Sequence, residues 1–142
     1  MRAAGAGTSS IARALAAPLG AAAIEADDCH WLPTKPPYRQ ARAVAERGAL
    51  LRAMLDAAPR AVVAGSIVGW GRELEDGFDL IVFVLTDARV RLERLRVREV
   101  ARFGRADPQF LDWAAQYDTG TTRGRNLARH RAWLAQRSTP IL

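Results

Sequence analysis

Short apolar runs alternate along the chain with stretches in which apolar residues recur every three or four positions. The runs predict buried strands, and the recurrences predict amphipathic helices. Residues 21–26 (AAAIEA), 61–66 (AVVAGS) and 79–85 (DLIVFVL) read as strands, with a fourth over 139–142 (TPIL). Ile11, Leu15 and Leu19 fall at i, i+4 and i+8 of a helix over 9–19, which Gly20 stops. A helix over 44–58 collects Leu50, Leu51, Met54 and Leu55 on one side, and further helices are expected over 87–104, 108–117 and 123–137. This alternation implies an α/β fold, a parallel sheet flanked by helices, and 142 residues suffice for a single domain spanning 1–142.

The helix over 87–104 has a second pattern laid on the first. At about 100° per residue, Arg91, Arg94, Arg98, Arg102 and Arg105 fall within an arc of about 80°. Leu92, Leu95, Val97, Val100 and Phe103 take the wider remaining arc, the expected packing surface. Like charges at i and i+4 cost a few tenths of a kcal/mol per pair, which a bound anion would offset. A solvated basic face is the plainer reading of the same pattern.

Near the start, Gly5-Ala6-Gly7-Thr8-Ser9-Ser10 runs straight into the first helix. Glycines followed by hydroxyl residues at a helix N-terminus aim backbone N–H groups and the positive end of the helix dipole at an anion, although ordinary helix capping uses the same residues. Set against the phosphate-loop form G-x-x-x-x-G-K-[ST], Gly7 fits the second glycine and Ser9 the hydroxyl that holds Mg²⁺. Thr8 stands where the lysine belongs, and the first glycine would fall at Arg2.

Three further segments follow in order: Glu25 to Tyr38 (EADDCHWLPTKPPY), Gly65 to Gly71 (GSIVGWG) and Phe78 to Val84 (FDLIVFV). Together with the loop, the Arg-rich run 91–99 and Trp113 to Asp118 (WAAQYD), this order resembles a bacterial group of adenylate-kinase-like P-loop proteins in which a G-S-G-T-T-T-like loop replaces the lysine-bearing one. The likeness extends over nearly the whole chain. It implies a three-layer P-loop sheet whose central first strand is missing here, as though the sequence began late. It also implies an ATP-binding phosphotransferase acting with Mg²⁺ on a small-molecule or nucleotide acceptor. Gly5, Ala6, Gly7, Thr8, Ser9 and Ser10 would hold the phosphates and Ser9 the metal. Asp27 would serve catalysis and Asp28 the acceptor; Arg94 and Arg98 would clamp the transferred group, with Trp31 and Trp70 lining the substrate site. A catalytically inactive remnant stays open, since Thr8 cannot supply a lysine charge. Four adjacent residues such as Asp27-Asp28-Cys29-His30 converge poorly on one ion, so zinc is not expected.

Charge adds one constraint. The net charge of +6 suits anionic partners, either nucleotides or a nucleic-acid backbone, and 20 of the 21 basic residues are Arg, the better bidentate phosphate ligand. No aromatic-interleaved or recognition-helix pattern supports nucleic acid, which stays the less favoured partner. The second basic cluster, Arg123, Arg125, Arg129 and Arg131, reads as a solvated helix end. The lone Cys29 and the lack of a run of roughly 20 apolar residues fit a cytoplasmic protein without a membrane span.

Overall fold

The computed structural model describes residues 3–120 and 124–142. Helix α1 (Thr8–Leu19) leads into strand β1 (Ala22–Glu25), the five-residue helix α2 (Ala26–His30) and helix α3 (Val44–Asp56). Strand β2 (Ala61–Ala64) follows, then α4 (Arg72–Glu75), α5 (Ala88–Phe103), α6 (Pro108–Ala115) and α7 (Leu127–Leu134). The architecture is α/β with a small parallel sheet, in which Ala22 stands opposite Ala61 and Glu25 opposite Ala64. No helix among the described residues is long and apolar enough to cross a membrane.

The expected strand over 79–85 does not extend this sheet. It pairs in parallel with the end of the chain through a single bridge, Ile81 to Ile141, with Ile81 N–H donating to Pro140 C=O at 2.9 Å and Leu142 N–H to Ile81 C=O at 2.9 Å. Between this pair and β2 lies an apolar groove of about 760 Å³, part of it open to solvent, lined by Ile11, Leu15, Val63, Leu80, Ile81 and Val84. The two halves still meet below the groove, where Ile24 and Ile81 share one buried cluster with Val63 and Phe83 packed against it.

The groove explains a correction in α1. The helical stripe predicts that Ile11, Leu15 and Leu19 are core, yet Ile11 is 36% and Leu15 42% exposed, and Ala12 and Ala16 are the buried positions. Alanines let α1 lie close against β1 and β2, while the larger side chains reach into the groove. On the other side, Ile24 of β1 packs with Leu51 of α3, Leu74 of α4, Ile81, and Trp133 and Leu134 of α7 in one cluster. Leu50 and Met54, expected beside Leu51, are exposed.

Helix α5 departs from its expected orientation. Arg91 is 1% exposed and Leu95 fully buried, whereas Val97, Val100 and Phe103 face solvent. The buried line therefore cuts across the basic stripe instead of avoiding it. Directly after β1, α2 starts, with Asp27 and Asp28 in its first turn, where carboxylates suit the helix dipole. The predicted helix over 123–137 begins on Arg123, which lies outside the described residues, as does Arg2.

Candidate functional site

The loop from Ala3 to Thr8 is held by α5. Gly5 has φ +80, and a β-carbon there would come within 2.6 Å of Arg91 C=O and 3.0 Å of Leu95 Cγ, so only glycine fits. The Arg91 guanidinium donates from Nη1 to Ala4 C=O at 3.4 Å, from Nη1 to Ala114 C=O at 3.4 Å, from Nε to Thr86 C=O at 3.2 Å and from Nη2 to Asp118 Oδ2 at 2.5 Å. Thr86 Oγ1 adds a bond to Ala6 C=O at 3.4 Å. Arg91 thus ties the loop, the segment before α5, and α6 together. It belongs to the scaffold and is removed from the exposed stripe.

Arg94 and Arg98 follow Arg91 by about one and two helical turns, which brings them near the same side of α5. A β-carbon on Gly7 would meet only Arg94 Nη1, at 3.7 Å, so this guanidinium stands over the loop at the start of α1. Arg98 is turned elsewhere, with its Nη2 3.6 Å from Glu99 Oε1. Arg102 reaches the Tyr38 hydroxyl at 3.5 Å, which links the far end of α5 to the 31–42 loop.

The start of α1 differs from those of α5, α6 and α7. Those three are capped by the side chains of Asp87, Asp107 and Asn126, whereas α1, like α2, α3 and α4, has no side-chain cap and begins at Gly7 in the left-handed region. Thr8 is buried and its Oγ1 has no hydrogen-bond partner, so its side chain faces the groove and only its backbone is offered to a ligand. Ser10 is exposed. Ser9 Oγ donates to Glu25 Oε2 at 2.9 Å, and Arg13 approaches the other oxygen of that carboxylate at 3.7 Å. Hydroxyl and carboxylate oxygens side by side fit the hard-oxygen preference of Mg²⁺, which takes one or two carboxylates and leaves other positions to water and phosphate. No cluster of three His, Cys, Asp or Glu residues suited to a metal occurs among the described residues.

A second group of side chains gathers past the C-terminal end of β1. Asp27 Oδ1 accepts from Arg125 Nη2 at 2.5 Å, and Arg47 Nη1 of α3 donates to His30 Nδ1 at 2.7 Å. The Arg47 guanidinium lies 5.3 Å from the centre of the Trp70 ring, which also stacks on His30 at 6.0 Å. Burial first, then the charges of Arg47 and Arg125, pushes the His30 pKa down, so the ring stays neutral and Nδ1 is free to accept. Trp70 itself is buried in the core cluster, so its indole is a floor beneath Arg47 and His30, not an open stacking surface. Trp31 meets His30 edge-on and forms a bridge to Ala41 across the base of the 31–42 loop. Asp28 is exposed beside Asp27.

Sequence spacing concealed this group. His30, Arg47, Trp70 and Arg125 come from four separate parts of the chain, and the pairs that unite them span 17 and 98 residues. The only local signal was that Asp27 and His30 sit three apart, hence on one face of a helical turn. Arg129, from the cluster read as solvated, lies 3.8 Å from where a Gly69 β-carbon would be.

The 65–71 loop between these groups is braced from below. Glu75 accepts from Gly69 N–H at 2.6 Å, Trp70 N–H at 3.0 Å and Trp133 Nε1 at 2.7 Å. Ser66 Oγ meets His130 Nε2 at 3.1 Å, and His130 Nδ1 meets the Tyr117 hydroxyl at 2.7 Å. Burial chiefly, aided by Arg125 and Arg129, lowers the His130 pKa to about 4, and burial raises that of Tyr117 to about 12, so both stay neutral.

Comparison with known proteins supplies a frame for this geometry. No family model matches the chain. It is 34% identical to the uncharacterized protein YqaC of Bacillus subtilis over 150 residues, covering 99% of this chain and 83% of YqaC. The chain belongs to the family of YqaC. Among solved structures, it is similar to a gluconokinase from Sinorhizobium meliloti, with a TM-score of 0.50 and 23% identity over 87% of this chain and 73% of the gluconokinase. At that identity the likeness shows a shared fold.

Proposed function

We propose that the chain binds a nucleoside triphosphate, ATP first, through Gly5 to Ser10, and transfers its terminal phosphoryl group to a hydroxyl of a small acceptor held past the end of β1. The observation that carries this reading is Arg94 Nη1 over Gly7, at a helix N-terminus that no side chain caps. Thr8 cannot supply the charge a lysine brings to the phosphates; Arg94 supplies it from α5.

The roles follow from placement. The backbone N–H groups at the start of α1 bind the phosphates with the help of the helix dipole. Arg94 neutralises charge on the transferring group, and Arg98, one turn on, joins it once released from Glu99. Ser9 and Glu25 would hold Mg²⁺, whose charge would offset that of the phosphates. Asp27, oriented by Arg125, receives the acceptor hydroxyl, whose oxygen bonds to the terminal phosphorus as the bond to the nucleotide oxygen breaks; the hydroxyl proton passes to Asp27. Asp28 and Trp31 border the acceptor, and Trp70 supports it from beneath. A three-layer sheet flanked by helices is the fold that corresponds to this reading.

The test is release of ADP from Mg²⁺-ATP by the full chain across a panel of small hydroxyl compounds. Acceptor-dependent release that disappears in Arg94→Met, with stability intact, supports the reading. Full activity in that variant refutes it.

A further inference from the structure

The acceptor side of the molecule is positively charged in a way the transfer reaction alone does not require. Arg47 and Arg125 stand close enough for each to depress the His30 pKa, and Arg125 lowers that of Arg47 as well, after burial. Asp27 answers Arg125. Among the described residues no carboxylate lies within ion-pair distance of Arg47, and its Nε is buried without a hydrogen-bond partner. Among the described residues its polar side-chain partner is His30, and its guanidinium lies 5.3 Å from the centre of the Trp70 ring.

Keeping two guanidinium groups together in a partly buried site costs electrostatic free energy, and a neutral imidazole returns little of it. An oxyanion on a bound molecule returns much more, because a guanidinium offers two parallel N–H donors that match a carboxylate or phosphate. The Trp70 ring fixes the plane of the Arg47 fork, which lowers the entropy lost when the anion docks.

We infer that the group formed by Arg47, His30 and Arg125 on Trp70 is an anion receptor, and that the acceptor is a small hydroxyl compound bearing a carboxylate or phosphate. This rests on the proposed transfer reaction for the identity of the bound molecule as acceptor, but the receptor itself is testable without nucleotide. Arg47 holds the anion, and the acceptor's hydroxyl lies toward Asp27.

The experiment is a titration of the full chain, without nucleotide, by D-gluconate, D-glucose 6-phosphate and D-glucose, followed by tryptophan fluorescence and thermal shift. At least one anionic compound should bind ten-fold or more tightly than glucose. Arg47→Gln should abolish that preference, and Arg125→Gln should weaken it, while Arg94→Met leaves it unchanged. Gluconate binding alone identifies a carboxylate receptor; glucose 6-phosphate binding lost in Arg47→Gln but kept in Arg94→Met identifies a phosphate receptor there and not at Gly5 to Ser10. Equal binding of glucose, no binding by any of the three, or a preference that survives both Arg47→Gln and Arg125→Gln overturns the inference. Failure of ATP to bind in a separate titration would instead remove the transfer reaction and leave the receptor result standing.

Discussion

Replacing Arg91 by Met removes every donor of the buried guanidinium while keeping an unbranched side chain in its place. Three backbone carbonyls, those of Ala4, Thr86 and Ala114, lose their bond to it. A buried acceptor left unsatisfied costs about 1 to 3 kcal/mol; Ala114 C=O still accepts from the backbone N–H groups of Gln116 and Tyr117, so the carbonyls of Ala4 and Thr86 account for about 3 kcal/mol together. The ion pair with Asp118 adds little, because that carboxylate is 42% exposed and returns to water. The loss of the guanidinium over the Tyr117 ring, 5.3 Å away, is offset by the apolar surface Met buries. Net destabilisation of about 3 kcal/mol corresponds to a melting temperature lower by about 10 °C for a chain of this size. Urea unfolding followed by tryptophan emission measures it directly, with an unchanged slope expected. Arg94→Met, on the same helix but exposed, should fall within about 0.5 kcal/mol of the native chain. If the two variants were equally stable, Arg91 would not be the brace of the loop, and its placement beneath the phosphate site would lose its meaning.

Other outcomes follow from the same geometry. The His130 pKa lies at about 4 when folded against 6.5 for the free side chain, so the unfolded chain binds the extra proton first and stability falls as pH drops from 6.5 toward 4. Unfolding at pH 5 should therefore require about 2 kcal/mol less than at pH 7.5, and His130→Gln should flatten that dependence; an unchanged slope would place His130 in contact with water. Ile11→Ser and Leu15→Ser should each cost less than about 0.5 kcal/mol, since both side chains reach into an open groove; a loss above about 2 kcal/mol would mean that they are core in solution. Gly5→Ala should cost at least about 1 to 3 kcal/mol from positive φ alone, and more from contact with Arg91 C=O, as read by thermal melting. Ser9→Ala should raise the Mg²⁺ concentration needed for half-maximal ATP binding by ten-fold or more, and no change would separate Ser9 from the metal.

The strands and long helices were legible because their periodicities are local. The 61–66 and 79–85 runs are both extended at their cores, yet nothing in the runs says that one joins β1 and the other joins the end of the chain. Pairing depends on what fills the space between. The arginine stripe shows a sharper limit. Spacing put Arg91, Arg94, Arg98 and Arg102 on one face, and geometry keeps them there, but a guanidinium can be buried when backbone carbonyls receive it. Arg91 meets three and disappears into the scaffold; Arg94 meets none and stays over Gly7. The group around His30 is illegible for a different reason, since its pairs join α2 to α3, to the 65–71 loop and to the segment before α7. Of the side chains gathered there, the sequence draws attention to Asp27 and Trp70, and the structure buries Trp70 in the core as a floor beneath Arg47 and His30.

The central claim is that Gly5 to Ser10 with Arg94 forms a nucleotide phosphate site. Calorimetric titration of the full chain with ATP in the presence of Mg²⁺ tests it most directly. The account predicts saturable binding, weakened at least ten-fold by Arg94→Met and by removal of Mg²⁺, with the folded fraction unchanged. No heat of binding at millimolar ATP, or equal affinity in the native chain and Arg94→Met, would contradict it.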